Sequence, residues 1–141
     1  MPRKTRQPAP APVSTPRPDV IVDFECSDGC LCVVLKNIGT ESAFHVRTLF
    51  DQPFRGVQGT KVLSTLSLFK ALEFMPPGKT FRQFVDPLHE YLARKEPVKL
   101  TATITYADRQ GERYTETITH DLRIYRDLGA GRRSAEPTEE T

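Results

Sequence analysis

The chain has 141 residues, with 20 basic against 18 acidic side chains and a formal charge of +2, a balance that excludes a wholesale polyanion or membrane-surface binder. No apolar run approaches the roughly 20 residues that cross a bilayer, and no apolar signal core stands at the N-terminus, so a soluble, cytoplasmic protein is expected. Three cysteines, an odd number without an export signal, point to reduced thiols rather than a disulfide framework, and a chain of this length can bury a core without one.

Residues 1–18 hold six of the twelve prolines among Ala, Ser, Thr and basic residues, a composition that predicts a disordered Pro-rich tail. Arg3, Lys4, Arg6 and Arg17 all precede the first acidic residue, Asp19. They form the candidate anion-binding group, with nucleic acid or an acidic protein as partner and a solvated tail as the plainer reading. No aromatic lies between them, so stacking on single-stranded bases is not supported. The Pro-Ala-Pro-Ala-Pro stretch either docks an aromatic groove or acts as a spacer.

Val20, Val22 and Phe24 alternate with Ile21, Asp23 and Glu25, and Asp28-Gly29 separates them from the apolar run Leu31 to Leu35. This predicts a hairpin with Phe24 opposite Val33 and Val22 opposite Leu35. Cys26 then shares the inner face with Leu31, while Cys30 and Cys32 point outward, too widely spaced along one strand for an unstrained disulfide. Zinc on Cys-x3-Cys-x-Cys would need a fourth ligand and another backbone, so all three thiols are expected to be free and no metal is expected.

A turn at Asn37–Thr40 leads to a strand over Ala43–Asp51, with Phe44, Val46, Thr48 and Phe50 on one side and His45, Arg47, Leu49 and Asp51 on the other. Gln52–Thr60 reads as a loop, and Lys61–Met75 as a short helical turn followed by a strand from Leu72. Phe54, Leu68, Phe69 and Phe74 fall in or near these irregular segments. They are the candidate protein-binding patch, unless they plug the ends of the core. Pro76–Lys79 turns the chain into a strand over Thr80–Val85. Asp86 then reads as a helix cap with Pro87 in the first turn, and the helix closes at Arg94, Lys95 and Pro97.

From Val98 to Ile124 the alternation of a long one-sided hairpin is unbroken. Asp108-Arg109-Gln110-Gly111 supplies its turn, and pairing Asp108 with Glu112 sets Tyr106 opposite Tyr114, Ala102 opposite Ile118 and Val98 opposite Leu122. On the other face Thr105, Thr103, Thr101 and Lys99 meet Thr115, Thr117, Thr119 and Asp121. Residues 127–141 read as a disordered polar tail.

The expected fold class is therefore all-β, an immunoglobulin-like antiparallel sandwich of about seven strands over residues 19–126 with one short helix. Val33-Val34-Leu35-Lys36-Asn37-Ile38-Gly39, followed by Ala43-Phe44-His45-Val46, resembles the strand, Asn-x-Gly, Ala-x-x-Val pattern of bacterial immunoglobulin-like domains of the CARDB type. Met75–Lys79 and the closing hairpin through Gly111 are similar to later parts of that pattern. The resemblance implies an adhesive or accessory module, a role most often found in exported proteins, though no export signal is present here. The Leu-Lys-Asn and Ala-Phe-His-Val-Arg-Thr run also resembles the major sperm protein type of sandwich.

No Gly-rich phosphate loop, Gly-x-Ser-x-Gly or His-Glu-x-x-His occurs. Glu116 and His120 share a strand face but lie roughly 13 Å apart, beyond a direct hydrogen bond. No catalytic residue and no cofactor are assigned. The expectation is a non-catalytic adaptor or accessory subunit that binds another protein, with nucleic-acid binding through the basic tail as the alternative.

Overall fold

A computed structural model of the protein describes residues 15–128. Strands β1 (Val20–Ser27) and β2 (Cys30–Asn37) form the first hairpin. Asp28 and Gly29 both take left-handed φ, 53° and 77°, as a two-residue turn matched to strand twist requires. Phe24 faces Val33, Val22 faces Leu35 and Cys26 faces Leu31, the register expected from the sequence. Next come β3 (Ala43–Phe50), the two-residue β4 (Arg55–Gly56) and β5 (Lys61–Val62), α1 (Ser67–Lys70) and β6 (Leu72–Met75). The chain closes with β7 (Thr80–Pro87), α2 (Leu88–Ala93), β8 (Lys99–Ala107), β9 (Arg113–Asp121) and α3 (Arg123–Asp127).

These strands make two facing antiparallel sheets, β1-β2-β7 and β6-β3-β8-β9, with β4-β5 as a separate ribbon. The architecture is the immunoglobulin-like sandwich. Between the sheets lie Val20, Val22, Phe24, Leu31, Val33 and Leu35 from one side and Val46, Phe50, Leu100, Ala102, Ile104 and Tyr106 from the other, all buried. At its centre Phe24, Phe50, Phe54 and Phe69 meet edge to face, with Phe50 5.0 Å from Phe54 and 5.1 Å from Phe69 between ring centroids.

Asn37 ties the layers together. Wholly buried, its amide donates to the carbonyls of Glu41 (2.9 Å) and Met75 (3.0 Å) and accepts from the backbone of Asp19 (3.2 Å) and Gly39 (2.9 Å). Gly39 must be glycine because a Cβ there would overlap the Arg17 carbonyl oxygen.

The long hairpin has the expected pairing throughout, from Lys99 with Asp121 to Tyr106 with Tyr114. Elsewhere the structure corrects the sequence reading. In β3 the residue order of the inner face slips: Ala43, Val46, Thr48 and Phe50 are buried, whereas Phe44 turns outward. His45 sits at φ 54° in a β-bulge against β8, and that extra residue reverses the parity before it. Asp86 caps no helix. Strand β7 runs through it, and its side chain is buried against the backbone of Gln58 and the guanidinium of Arg94.

Helices number three among the described residues rather than one, α3 being the unexpected addition. Residues 15–18, assigned from sequence to the tail, run against the sandwich: Thr40 N–H donates to the Arg17 carbonyl at 3.0 Å. Residues 1–14 and 129–141 lie outside the described residues. Among the described residues no helix is long and apolar enough to cross a membrane.

Candidate functional site

The outer face of the β6-β3-β8-β9 sheet is built from the residues that the alternation turns away from the core. Six threonines form two rows, Thr101, Thr103 and Thr105 on β8 against Thr119, Thr117 and Thr115 on β9. Thr101 and Thr119 share a hydroxyl hydrogen bond at 2.9 Å. Beside them β3 contributes Arg47 and Leu49, and Leu49, paired with Thr103, is 73% exposed. Leu49, Phe69, Thr103 and Thr105 line a shallow depression of about 360 Å³, with Arg47 and Lys70 also on its rim.

At the other end of this face Phe44 and Phe74 pack with ring centroids 5.4 Å apart, and the Arg109 guanidinium lies 5.4 Å from the Phe44 ring. Glu73 is shared: Oε1 is 2.7 Å from His45 Nδ1 and Oε2 accepts from Arg47 at 3.1 Å. Those two hydrogen bonds, His45 first and Arg47 second, hold its carboxyl below the usual range.

Of the four residues expected to form a docking patch, two are corrected. Phe54 and Phe69 are each 1% exposed, because the β4-β5 ribbon and α1 fold back over the sheets and drive both rings into the core. They plug the sandwich, the other reading the sequence allowed. Leu68 is half-buried against the core, and Phe74, at 48% exposed, remains on the surface. Leu49 and Lys70 are residues that the sequence reading does not single out: Leu49 lies on the outward parity of its strand, but that nothing in the described chain covers it shows only in the structure.

Arg17 is no part of a free basic tail. Its guanidinium donates to Glu116 (3.0 Å) and stands 4.5 Å over the Tyr114 ring, while the Tyr106 hydroxyl donates to the same carboxylate at 2.7 Å. Burial, then the Glu116 hydrogen bond, pushes the Tyr106 hydroxyl up to about 12. Arg3, Lys4 and Arg6 lie outside the described residues.

The remaining polar groups are spent on structure. His120 Nε2 donates to the Val22 carbonyl at 2.8 Å and Tyr125 donates to the Phe24 carbonyl, so β9 and α3 cover the outer edge of β1. Glu116 and His120 thus serve different contacts. Asp86 Oδ1 accepts from Gln58 N–H at 2.8 Å and Oδ2 meets Arg94 at 2.8 Å as a charge contact poorly aligned for a hydrogen bond. Cys26, Cys30 and Cys32 are half-buried free thiols, and burial raises the first and last. Among the described residues no three His, Cys, Asp or Glu side chains converge as metal ligands would. What the geometry offers is a binding face: apolar contact, donors on threonine and cationic rims.

Residues 4–126 match the family described as "Domain of unknown function (DUF8453)", and the chain belongs to that family. No curated protein and no solved structure matches it.

Proposed function

We propose that this member of the family is a non-catalytic protein-interaction module, an adaptor or accessory subunit, that docks a partner on the outer face of the four-stranded sheet. The observation that carries the reading is Leu49, a large apolar side chain 73% exposed on the outer sheet face opposite Thr103, at a point of β3 beyond its pairing with β6. Apolar surface displayed on a rigid sheet is the usual material of an interface. Phe74 extends it beyond the Arg47–Glu73–His45 cluster. Support for a non-catalytic role comes from where the acid-base groups point: Glu116, His120 and Asp86 each face a fixed structural partner rather than a shared cleft. The CARDB-type resemblance, an accessory sandwich in a bacterial protein, agrees with this role by fold analogy, and three half-buried thiols suit a reducing compartment such as the cytoplasm.

Affinity capture from the native host tests the reading with four proteins run in parallel: the unaltered chain, Leu49→Asp, Phe74→Asp, and Arg3, Lys4 and Arg6 all changed to Gln. A partner protein retained by the glutamine variant and at high salt, but lost with Leu49→Asp, is expected. Recovery of nucleic acid alone, abolished by the three glutamines and steeply weakened by salt, would establish the anion-binding alternative instead.

A further inference from the structure

The depression around Leu49 has a chemistry that narrows its occupant. We infer that it takes an extended acidic peptide segment, one apolar side chain seated over Leu49 and flanking carboxylates on Arg47 and Lys70; this rests on the interaction-module reading above. Leu49, Phe69 and the threonine methyls make the floor apolar, while Arg47 and Lys70 put two cations on its rim. Glu73 is already divided between Arg47 and His45, and Asp51, two residues beyond Leu49, accepts from the Thr101 backbone at 3.0 Å; neither lines the depression. Lys70 has no ion-pair partner among the described residues. An incoming carboxylate therefore meets one uncommitted ammonium and one guanidinium whose other contacts are the carbonyls of Val46 and Leu72. Such a rim attracts anions and repels a basic partner.

The floor decides between a peptide and a nucleic acid. Bases bind sheet faces by stacking on exposed aromatic rings. Here the accessible floor is aliphatic, Phe69 is 1% exposed, and Phe74, though 48% exposed, packs on Phe44 and does not line the depression. A branched aliphatic or aromatic side chain fits the depression. The threonine rows beside it are uncharged, and their hydroxyls can donate to an extended backbone or to carboxylates.

The test is selection of a display library of random linear peptides on the unaltered protein, followed by anisotropy titration of the enriched peptides on variants. Enriched sequences should place Asp or Glu on both sides of one large apolar residue. Leu49→Asp and Lys70→Glu should each weaken binding by about tenfold or more, and Lys70→Arg should retain it. Both sites are on the surface, and circular dichroism of each variant confirms that the sandwich is intact. Selected peptides without acidic bias, peptides bound equally well by Leu49→Asp, or tighter binding of an oligothymidine of matched length would each overturn the inference. Failure to enrich any peptide overturns it too, and leaves the adaptor reading to be judged by whether a folded partner is captured through Leu49 and Phe74.

Discussion

The guanidinium of Arg94 reaches the buried Oδ2 of Asp86 at 2.8 Å, tying the turn after α2 to the end of β7. Oδ1 of the same carboxylate holds Gln58 N–H at 2.8 Å, in a loop where Val57, Gln58 and Gly59 are all left-handed. A β-branched residue at φ 55° is strained, so the Asp86 anchor and the Val57 N–H bond to the Val85 carbonyl (2.7 Å) hold the loop in place. Asp86→Ala should cost about 1–3 kcal/mol, because it leaves the Gln58 amide unpaired, while Arg94 keeps the Arg55 carbonyl at 3.1 Å and Glu96 at 3.7 Å. Arg94→Ala should cost a similar amount, and the double variant much less than the sum. Urea denaturation of the four proteins reads the cycle, and additive losses would show that the pair does not act as a unit.

Asn37 should be still less replaceable. Asn37→Ala removes four hydrogen bonds and strands the buried partner of one of them, the Met75 carbonyl, at about 1–3 kcal/mol. Asn37→Asp keeps the acceptor but loses both donations. Thermal unfolding should rank native above Asp above Ala, and a melting temperature unchanged in Asn37→Ala would refute the hub role.

The segment before β1 should contribute measurably. A sequence reading of residues 1–17 as a solvated tail implies that removing them leaves stability unchanged, but Arg17 is bonded to Glu116, and its carbonyl accepts from Thr40. With its guanidinium half-exposed, the ion pair is worth little more than about 1 kcal/mol after screening. Arg17→Ala should therefore lower the melting temperature by a few degrees, roughly 4–8 °C per kcal/mol for a domain of this size. Gly39→Ala, which drives a Cβ into the Arg17 carbonyl, should do more damage than Arg17→Ala.

Alkaline pH should destabilise the same corner. Tyr106 is held up at about 12 against an ordinary 10, by burial first and the Glu116 carboxylate second. A folded value above the unfolded one means that the contribution is complete below pH 10 and is lost as pH rises through 12. Absorbance titration should show all four tyrosines ionising above the ordinary 10, Tyr91 later still than Tyr106, and Glu116→Gln should bring the Tyr106 step down. A titration curve unchanged by Glu116→Gln would assign the Tyr106 rise to burial alone.

The thiols offer a check on register. With Cys26 opposite Leu31 and Cys32 opposite Glu25, all three should alkylate under denaturing conditions without reductant. In the folded protein Cys26 and Cys32, their ionisation opposed by burial, should react slowly at neutral pH. Intact mass decides it, and fewer than three adducts in denaturant would overturn the pairing.

Both hairpins were legible in the sequence because their information is local. Alternation and turn residues within a few positions, Asp28-Gly29 in one case and Asp108 with Gly111 in the other, specify partner and register together. The threonine face followed from the same parity. What required the tertiary structure was everything decided by a distant neighbour. Local pattern cannot foresee the bulge at His45, which turns Phe44 out toward Phe74 and Arg109. Asp86-Pro87 has the chemistry of a helix start, yet burial beside Arg94 drew that carboxylate inward. Phe54 and Phe69 lie in segments without periodicity, so their burial depended on where the ribbon and α1 landed. Leu49, outward on its strand, became notable only when nothing in the described chain covered it. Short-range sterics and turn geometry thus set the strands, whereas burial, ion pairing and exposed surface depend on which remote groups the sandwich brings together.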